Sequence, residues 1–105
     1  MEIKSERKEN SNILIVDGRL DSTTSGDFEK QLLEILEHGK ENIVDFRNLK
    51  YISSSGLRVL LVAAKKLSQN NQKLSIAGMQ DHIKEVFDIS GFTGLFNVIP
   101  ENPNE

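Results

Sequence analysis

Short apolar runs alternate along this chain with longer segments in which apolar residues recur at helical spacing. The runs predict buried strands, and the longer segments predict amphipathic helices. Strands that alternate with helices of this length are typical of right-handed β-α crossovers and a mainly parallel sheet. We therefore predict an α/β fold. The predicted strands are 12–17, 43–46, 73–77 and 96–99, and the predicted helices are 24–38, 55–68 and 80–89.

Turn signals set the expected limits of the first strand. Asp17-Gly18 predicts a turn directly after it, because both residue types favour turns. Residues 2–8 are expected to pair with this strand as an antiparallel N-terminal edge, which makes the predicted sheet mixed but mainly parallel.

Cap signals set the expected limits of the helices. Thr24 and Asp27 approximate a capping box at the start of the first helix. Gly39 stands where a left-handed cap would end that helix at about His38, and Ser90-Gly91 predicts the end of the third helix.

The length of the chain, 105 residues, predicts one domain over 1–105 with one hydrophobic core. The stretch of about 99–105 is polar and contains both prolines, Pro100 and Pro103. Because proline interrupts a helix, we expect a short polar tail there and no final helix.

Composition excludes several classes of function. The chain has no cysteine, which rules out a disulfide framework or a thiolate metal site and fits a reducing compartment. Residues 1–12 are too polar for a signal peptide, and no run approaches the roughly 20 apolar residues of a spanning helix. A net charge of -3 argues against binding to nucleic acid. We expect a soluble, cytoplasmic protein without a membrane partner.

A polar turn at 47–48 and a loop over 50–54 are expected to lead into the second helix. Three serines and a glycine mark its start, and two interpretations of them stay open. One serine can be the helix N-cap, which contributes about 1 kcal/mol. Alternatively, one serine is a phosphoacceptor at the helix start, where first-turn N–H groups favour an anion. The four residues are Ser53, Ser54, Ser55 and Gly56.

Phosphorylation of Ser55 would change the charge of this surface without unfolding the helix. Phosphoserine carries about -1.5 to -2 charge at pH 7, enough to expel an acidic or apolar partner surface. Arg58 lies three residues further on the same helical face. It is expected either to stabilise the phosphate, to pair with a carboxylate of a partner, or simply to be a solvated surface side chain.

Three segments resemble the recurring signatures of STAS domains in bacterial anti-sigma-factor antagonists, and the resemblance covers nearly the whole chain. They are Gly18-Arg19-Leu20-Asp21, Ile43-Val44-Asp45-Phe46 and Ile52-Ser53-Ser54-Ser55-Gly56-Leu57.

The resemblance implies a set of site residues. Matched on Gly56-Leu57, it makes Ser55 the phosphoacceptor and Ser54 the second choice, while Ser53 stands where the family usually has an aspartate. Asp21 matches a family aspartate near the same surface, although an ordinary turn residue before the first helix is an equal alternative. The implied partner-binding residues are Asp21, Ser53, Ser54, Gly56 and Arg58.

The resemblance also implies a cycle with two partners. The unphosphorylated protein would bind an anti-sigma factor that is a serine kinase and thereby release a sigma factor. The kinase would then phosphorylate its antagonist, and a metal-dependent serine phosphatase would restore the binding form. This chain would be no enzyme and would need no cofactor. The alternative within the same fold is a STAS scaffold or regulator in another partner-switching, secretion or transport-associated system.

Enzymes and phosphate-accepting receivers are weaker alternatives. A hydrolase elbow requires Gly-x-Ser-x-Gly, and neither Ser54 nor Ser55 has a glycine two positions earlier. The two histidines, His38 and His82, lie on predicted helices and suggest no metal site. A receiver domain would use Asp45, which we expect inside its strand rather than at the carboxyl end, and no acidic pair follows an early strand.

Overall fold

The computed structural model describes residues 1–100, which form one six-stranded sheet with three α-helices and a short 3₁₀ turn. Residues 101–105 of the predicted tail lie outside the described part. None of the helices within 1–100 is long and apolar enough to cross a membrane. The elements are β1 Glu2–Arg7, β2 Ser11–Leu20, α1 Ser25–Ile35, β3 Glu41–Asp45, β4 Leu49–Ile52, α2 Ser54–Ser68, β5 Ser75–Ala77, α3 Asp81–Ser90, a 3₁₀ turn Thr93–Leu95 and β6 Asn97–Ile99.

The sheet is mixed, as predicted. Its strand order is β1-β2-β3-β5-β6, and β4 pairs with the second half of β2. β1 pairs with β2 in antiparallel orientation, and every other pair is parallel. The prediction of a mainly parallel sheet with an antiparallel N-terminal edge is therefore confirmed.

The main hydrophobic core lies between the sheet and the helices. Side chains alternate along β2, so that Leu14 and Val16 join a large buried cluster to which all three helices contribute. The large cluster includes the rings of Phe28 and Phe46, whose centroids are 6.4 Å apart. Ile13 belongs instead to a small cluster made only of strand residues, on the other face. The three helices therefore cover one face of the sheet.

The predicted turn at Asp17-Gly18 is wrong, because β2 continues through both residues to Leu20. Gly18 adopts a φ of +118°, which glycine reaches without a Cβ penalty. The pairing register of β2 with β4 shifts between Gly18 and Arg19. The glycine thus accommodates a bulge within a long strand rather than a turn.

The predicted loop over 50–54 is also wrong, because residues Leu49–Ile52 form β4. Leu49 and Ile52 are buried whereas Lys50 and Tyr51 are exposed, so the segment lacks the apolar alternation that predicts a strand. Its pairing with β2 makes it a strand.

Asp45 was expected inside its strand, and this prediction is wrong: it is the last residue of β3. The side chain is buried, and its Oδ1 accepts a hydrogen bond from the Arg47 backbone N–H at 3.0 Å. The carboxylate therefore fixes the turn that follows β3.

The first helix ends earlier than predicted. α1 stops at Ile35 rather than near His38, and Leu36 already has an extended backbone. Gly39 has a φ of +84° as expected for a left-handed residue, but it lies in the later turn before β3 and does not cap the helix.

Two buried asparagines explain this early end. Asn12 on β2 donates from Nδ2 to the carbonyl of Ile35 at 2.8 Å. Asn42 on β3 accepts from the Glu37 N–H at 3.1 Å and donates to the Glu37 carbonyl at 2.9 Å. Because the strands satisfy these backbone groups, the chain leaves the helix without a glycine cap.

The other helices agree with prediction to within one or two residues. α2 begins one residue before its predicted start, and α3 ends where Gly91 adopts the left-handed conformation of a C-terminal cap, with a φ of +76°.

Candidate functional site

The serine segment and the loop after β2 meet at one edge of the sheet. Leu20, the last residue of β2, pairs with Ile52, the last residue of β4. Because these strands are parallel, Asp21 and Ser53 leave the sheet at the same edge. The Ser53 backbone N–H donates to the Leu20 carbonyl at 2.7 Å, which ties the two loops together.

Ser53 is the N-cap of α2. Its Oγ accepts a hydrogen bond from the Gly56 backbone N–H at 3.4 Å, and its carbonyl accepts from the Leu57 N–H at 3.0 Å. The capping interpretation of the serines is therefore right for Ser53. A serine can take the place of the family aspartate here because both side chains offer an oxygen to the first turn.

Ser54 and Ser55 are the first two residues of α2 and are not caps. Ser54 is exposed and Ser55 is half-buried. Within residues 1–100, neither hydroxyl makes a hydrogen bond. Both hydroxyls are therefore available for modification or for contact with a partner.

Ser55 lines a shallow groove of about 250 Å³ between α1 and α2. Arg58 lies in the same groove; its side chain is exposed and forms no ion pair within 1–100. The structure thus brings together Ser55 and Arg58, the pair expected from their spacing. The other lining residues are Ser25, Gly26, Glu29 and Val59.

Gly56 is buried and lets the start of α2 approach the strand ends. A Cβ at this position would lie 3.0 Å from Cγ1 of Ile52 and 3.1 Å from Cβ of Leu20, closer than nearly all real contacts. Because Gly56 has no side chain, α2 begins close to the strand ends, and this determines where the neighbouring serines lie. Gly56 itself presents no side chain to a partner.

Asp21 is half-buried and organises the loop before α1. Its Oδ1 accepts from the Thr23 backbone N–H at 3.0 Å and from the Thr23 hydroxyl at 2.7 Å. These hydrogen bonds from Thr23 lower the pKa of Asp21 below its usual value, and a contact from Thr24 adds to the effect. The carboxylate is therefore held ionised in a fixed orientation beside the serine segment.

The predicted capping box at the start of α1 does not form. The Thr24 hydroxyl donates to the Arg19 carbonyl at 2.8 Å and accepts from the Asp21 N–H at 2.9 Å. Asp27 accepts instead from Gln31, one turn further along the helix. Thr24 thus fastens the loop to the end of β2.

An exposed cation-π pair next to this edge was not predicted from the sequence. The Arg19 guanidinium carbon lies 4.4 Å from the ring centroid of Tyr51, whose side chain is 41% exposed. The two residues are cross-strand partners in β2 and β4. Because β4 was not predicted, nothing in the sequence placed the ring beside the arginine.

Other kinds of site have little support in residues 1–100. No group of three or more acidic or histidine side chains is placed to hold a metal ion. Asp45, the nominal phosphoacceptor of the receiver alternative, is the last residue of β3. His38 lies in a turn rather than on a helix, and His82 lies on α3, where its Nε2 is 2.8 Å from the Lys50 carbonyl of β4. A larger groove of about 330 Å³ lies toward the other end of α2, between Leu61 and Leu95.

Comparison with known proteins agrees with this geometry. The sequence model of the family described as "Mlab, STAS domain" matches residues 3–100. BtrV of Bordetella bronchiseptica, which bears the name of an anti-sigma factor antagonist, is 34% identical over 99 residues, covering 93% of this chain and 85% of BtrV. The anti-sigma-B factor antagonist of Staphylococcus aureus is 34% identical over 84 residues, covering 79% of this chain and 78% of that protein.

The solved structure of the Bacillus cell fate determinant SpoIIAA in its phosphorylated form has the same fold. It superposes with a TM-score of 0.70 at 17% identity and covers 92% of this chain and 90% of SpoIIAA. The match to the family over nearly the whole chain, together with relatives above 30% identity, shows that this chain belongs to the STAS domain family.

Proposed function

We propose that this protein is an anti-sigma factor antagonist whose partner binding is switched off by phosphorylation of Ser55. The single observation that carries the proposal is the position of Ser55 on the first turn of α2, in a groove shared with Arg58, with a hydroxyl that makes no hydrogen bond to any residue of 1–100. The names of BtrV and of the staphylococcal relative support the class of function.

Ser55 suits phosphorylation better than Ser54 for two reasons. The first turn of a helix offers backbone N–H groups that have no intrahelical acceptor, and both serines share this advantage. Only Ser55, however, faces a groove that also contains a guanidinium group, which is the strongest phosphate partner among side chains. Ser54 remains the second choice because it is the more exposed of the two.

The switch would work by charge rather than by unfolding. The γ-phosphoryl group of ATP would pass to Ser55 Oγ, ADP would leave, and the hydroxyl proton would go to the kinase. About -1.5 to -2 charge would then stand on a surface that was available to the partner. SpoIIAA, whose structure is known in the phosphorylated form, supports the idea that this fold tolerates the modification.

The partner surface would centre on the serine segment. Asp21 and Arg58 would offer an ionised carboxylate and a guanidinium on either side of it, and Ser53 and Ser54 would present the end of the helix. Gly56 would act indirectly, since it is buried and fixes the position of the first turn. An interface residue that holds its neighbours in place contributes through complementarity of shape.

We assign the catalytic groups to the partners. The kinase partner, an anti-sigma factor, would supply ATP, and a metal-dependent serine phosphatase would remove the phosphate. This chain would contribute a binding surface and a substrate hydroxyl, would need no cofactor, and would act as one domain over 1–105 in the cytoplasm to control sigma-factor-dependent transcription.

Mass spectrometry and pull-down experiments test this proposal. Peptides of the protein isolated from its own cells should carry phosphate on Ser55. The Ser55→Ala variant should retain a kinase-like partner that Ser55→Asp loses, while Ser54→Ala should still release that partner when Ser55 is phosphorylated. Phosphate on Ser54 alone would move the switch by one residue. Unmodified serines and equal binding by all variants would contradict it.

A further inference from the structure

We propose that Glu29 opposes the phosphate on Ser55 and thereby biases the switch toward its unphosphorylated form. This inference rests on the function proposed above and concerns the regulation of the same site. Arg58 and Glu29 would act on the phosphate in opposite directions: the guanidinium stabilises the phosphate dianion, and the carboxylate destabilises it.

The evidence is the groove itself. Glu29 comes from α1 and Arg58 from α2, and they are the two charged side chains among the residues that line it. Glu29 is half-buried and forms no ion pair within residues 1–100, so its charge is not consumed by a lysine or an arginine elsewhere. A phosphate attached to Ser55 therefore meets one charge of each sign.

The floor of the groove leaves room for a phosphate. Gly26 lies on the α1 side, and an added Cβ there would have no atom within 4 Å. The Ser25 hydroxyl is directed away, since it donates to the Asp21 carbonyl at 2.6 Å. The Asp21 carboxylate accepts hydrogen bonds from Thr23 and does not line the groove. In the part of the chain that the structure describes, no other charged side chain lines the groove.

The charges determine the direction of the effect. Without phosphate, Glu29 and Arg58 sum to zero in the groove. With phosphate the sum is about -1.5 to -2, because the phosphate adds its own charge to a groove in which the charge of Arg58 is already balanced by that of Glu29. Removal of the glutamate takes away the like charge that faces the phosphate, while Arg58, which forms no ion pair within residues 1–100, still attracts it. The phosphorylated state is therefore less stable with Glu29 than without it, which favours the partner-binding form.

The size of the effect follows from distance and screening. A groove of this volume is about 8 Å across, and one unit charge at that distance in a water-like medium shifts the second pKa of a phosphate by about 0.4 unit at low salt. The shift should fall to about half of this at 0.1 M salt, where the Debye length is about 10 Å.

The experiment uses the full chain with phosphoserine incorporated at position 55 during translation, so that no kinase is needed. Phosphorus NMR during a pH titration measures the second pKa of the phosphate. At low salt, Glu29→Gln should lower this pKa by about 0.4 unit, and Arg58→Gln should raise it by a similar amount. The matched controls Glu34→Gln on α1 and Lys66→Gln on α2 are exposed and lie outside the groove, and they should leave it nearly unchanged.

Two outcomes would overturn the inference. Equal shifts in Glu29→Gln and Glu34→Gln would mean that only the general surface charge acts, and no shift in Glu29→Gln would mean that the carboxylate does not face the phosphate. The titration tests the role of Glu29 separately from the proposed function. If cells never phosphorylate Ser55, the proposed switch is refuted, but the outcome of the titration does not change. Amide spectra that superpose on the wild type would establish that each variant is folded.

Discussion

Two glycines, each in the first turn of a helix, should respond in opposite ways to the same substitution. Gly26 is the second residue of α1 and Gly56 the third residue of α2, and neither has a positive φ. A Cβ on Gly26 would meet nothing within 4 Å, whereas one on Gly56 would lie 3.0 Å from Ile52 and 3.1 Å from Leu20. Comparison of the two variants therefore separates the effect of the close approach of α2 to the strand ends from the general effect of replacing a glycine by alanine.

The two free energies can be worked from these distances. At Gly26, alanine restricts the unfolded chain without strain, so Gly26→Ala should stabilise the protein by about 0.5 kcal/mol. At Gly56 the same gain is outweighed by overpacking of a buried contact, which typically costs about 1 to 3 kcal/mol. We expect Gly56→Ala to destabilise by about 1 to 2 kcal/mol, so that the two variants differ by about 2 kcal/mol.

Urea denaturation of both variants at one pH measures this difference directly. Unchanged denaturant slopes would establish that the native and unfolded states keep their exposed areas. If Gly56→Ala proves as stable as Gly26→Ala, the strand ends yield to the helix, and our explanation of Gly56 as the residue that positions the serines is refuted.

Three further changes test other parts of the site. Ser53→Ala should destabilise the protein by about 1 kcal/mol or less in denaturation, because it removes a long capping hydrogen bond. Ser53→Asp should restore the cap. A larger loss of stability in Ser53→Asp than in Ser53→Ala would contradict this. Asp21→Asn should lower the free energy of unfolding relative to the wild type. This difference should be constant above about pH 4 and should shrink as the pH falls through the lowered pKa of Asp21. A difference that does not change with pH in acid denaturation would exclude the ionised carboxylate as its source. Tyr51→Leu should cost about 0.5 to 1 kcal/mol through loss of the Arg19 contact, and a double-mutant cycle with Arg19→Ala that gives no coupling would contradict this.

The sequence predicted those parts of the fold that depend on local pattern. The strand at Ile43 and Val44 and the buried helix after the serines follow from apolar runs and spacing, and these signals do not depend on a partner in space. The cap at Gly91 is local too, since a left-handed residue is favourable for glycine wherever a helix ends.

The early end of α1 and the existence of β4 were not predicted because both depend on contacts between residues that are distant in the chain. The end of α1 is decided by Asn12 and Asn42, which lie on two strands and were not recognised as partners of a helix. Strand β4 exists because Gly18 allows β2 to continue past its bulge and pair again. Tertiary pairing outweighed the turn preference of Asp17-Gly18 and the polar composition of residues 50 and 51.

The same distinction holds for the candidate site. The i, i+3 spacing of Ser55 and Arg58 placed both on one face of α2, and the structure puts them in one groove. Glu29 could not be associated with them from the sequence, because it reaches the groove only through the packing of α1 against α2. Which of three adjacent serines caps the helix was likewise open until Ser53 was seen to accept from Gly56.

The affinity of the kinase-type partner for the protein with and without phosphate on Ser55 tests the central claim most directly. The partner recovered by pull-down is titrated calorimetrically into the unmodified protein, into protein with phosphoserine incorporated at position 55, and into a control with phosphoserine at position 54. We predict that phosphate on Ser55 weakens binding at least about tenfold, or about 1.4 kcal/mol, and does so more than phosphate on Ser54. Equal affinities of the unmodified and the Ser55-phosphorylated protein would contradict the switch and leave Ser55 without a regulatory role.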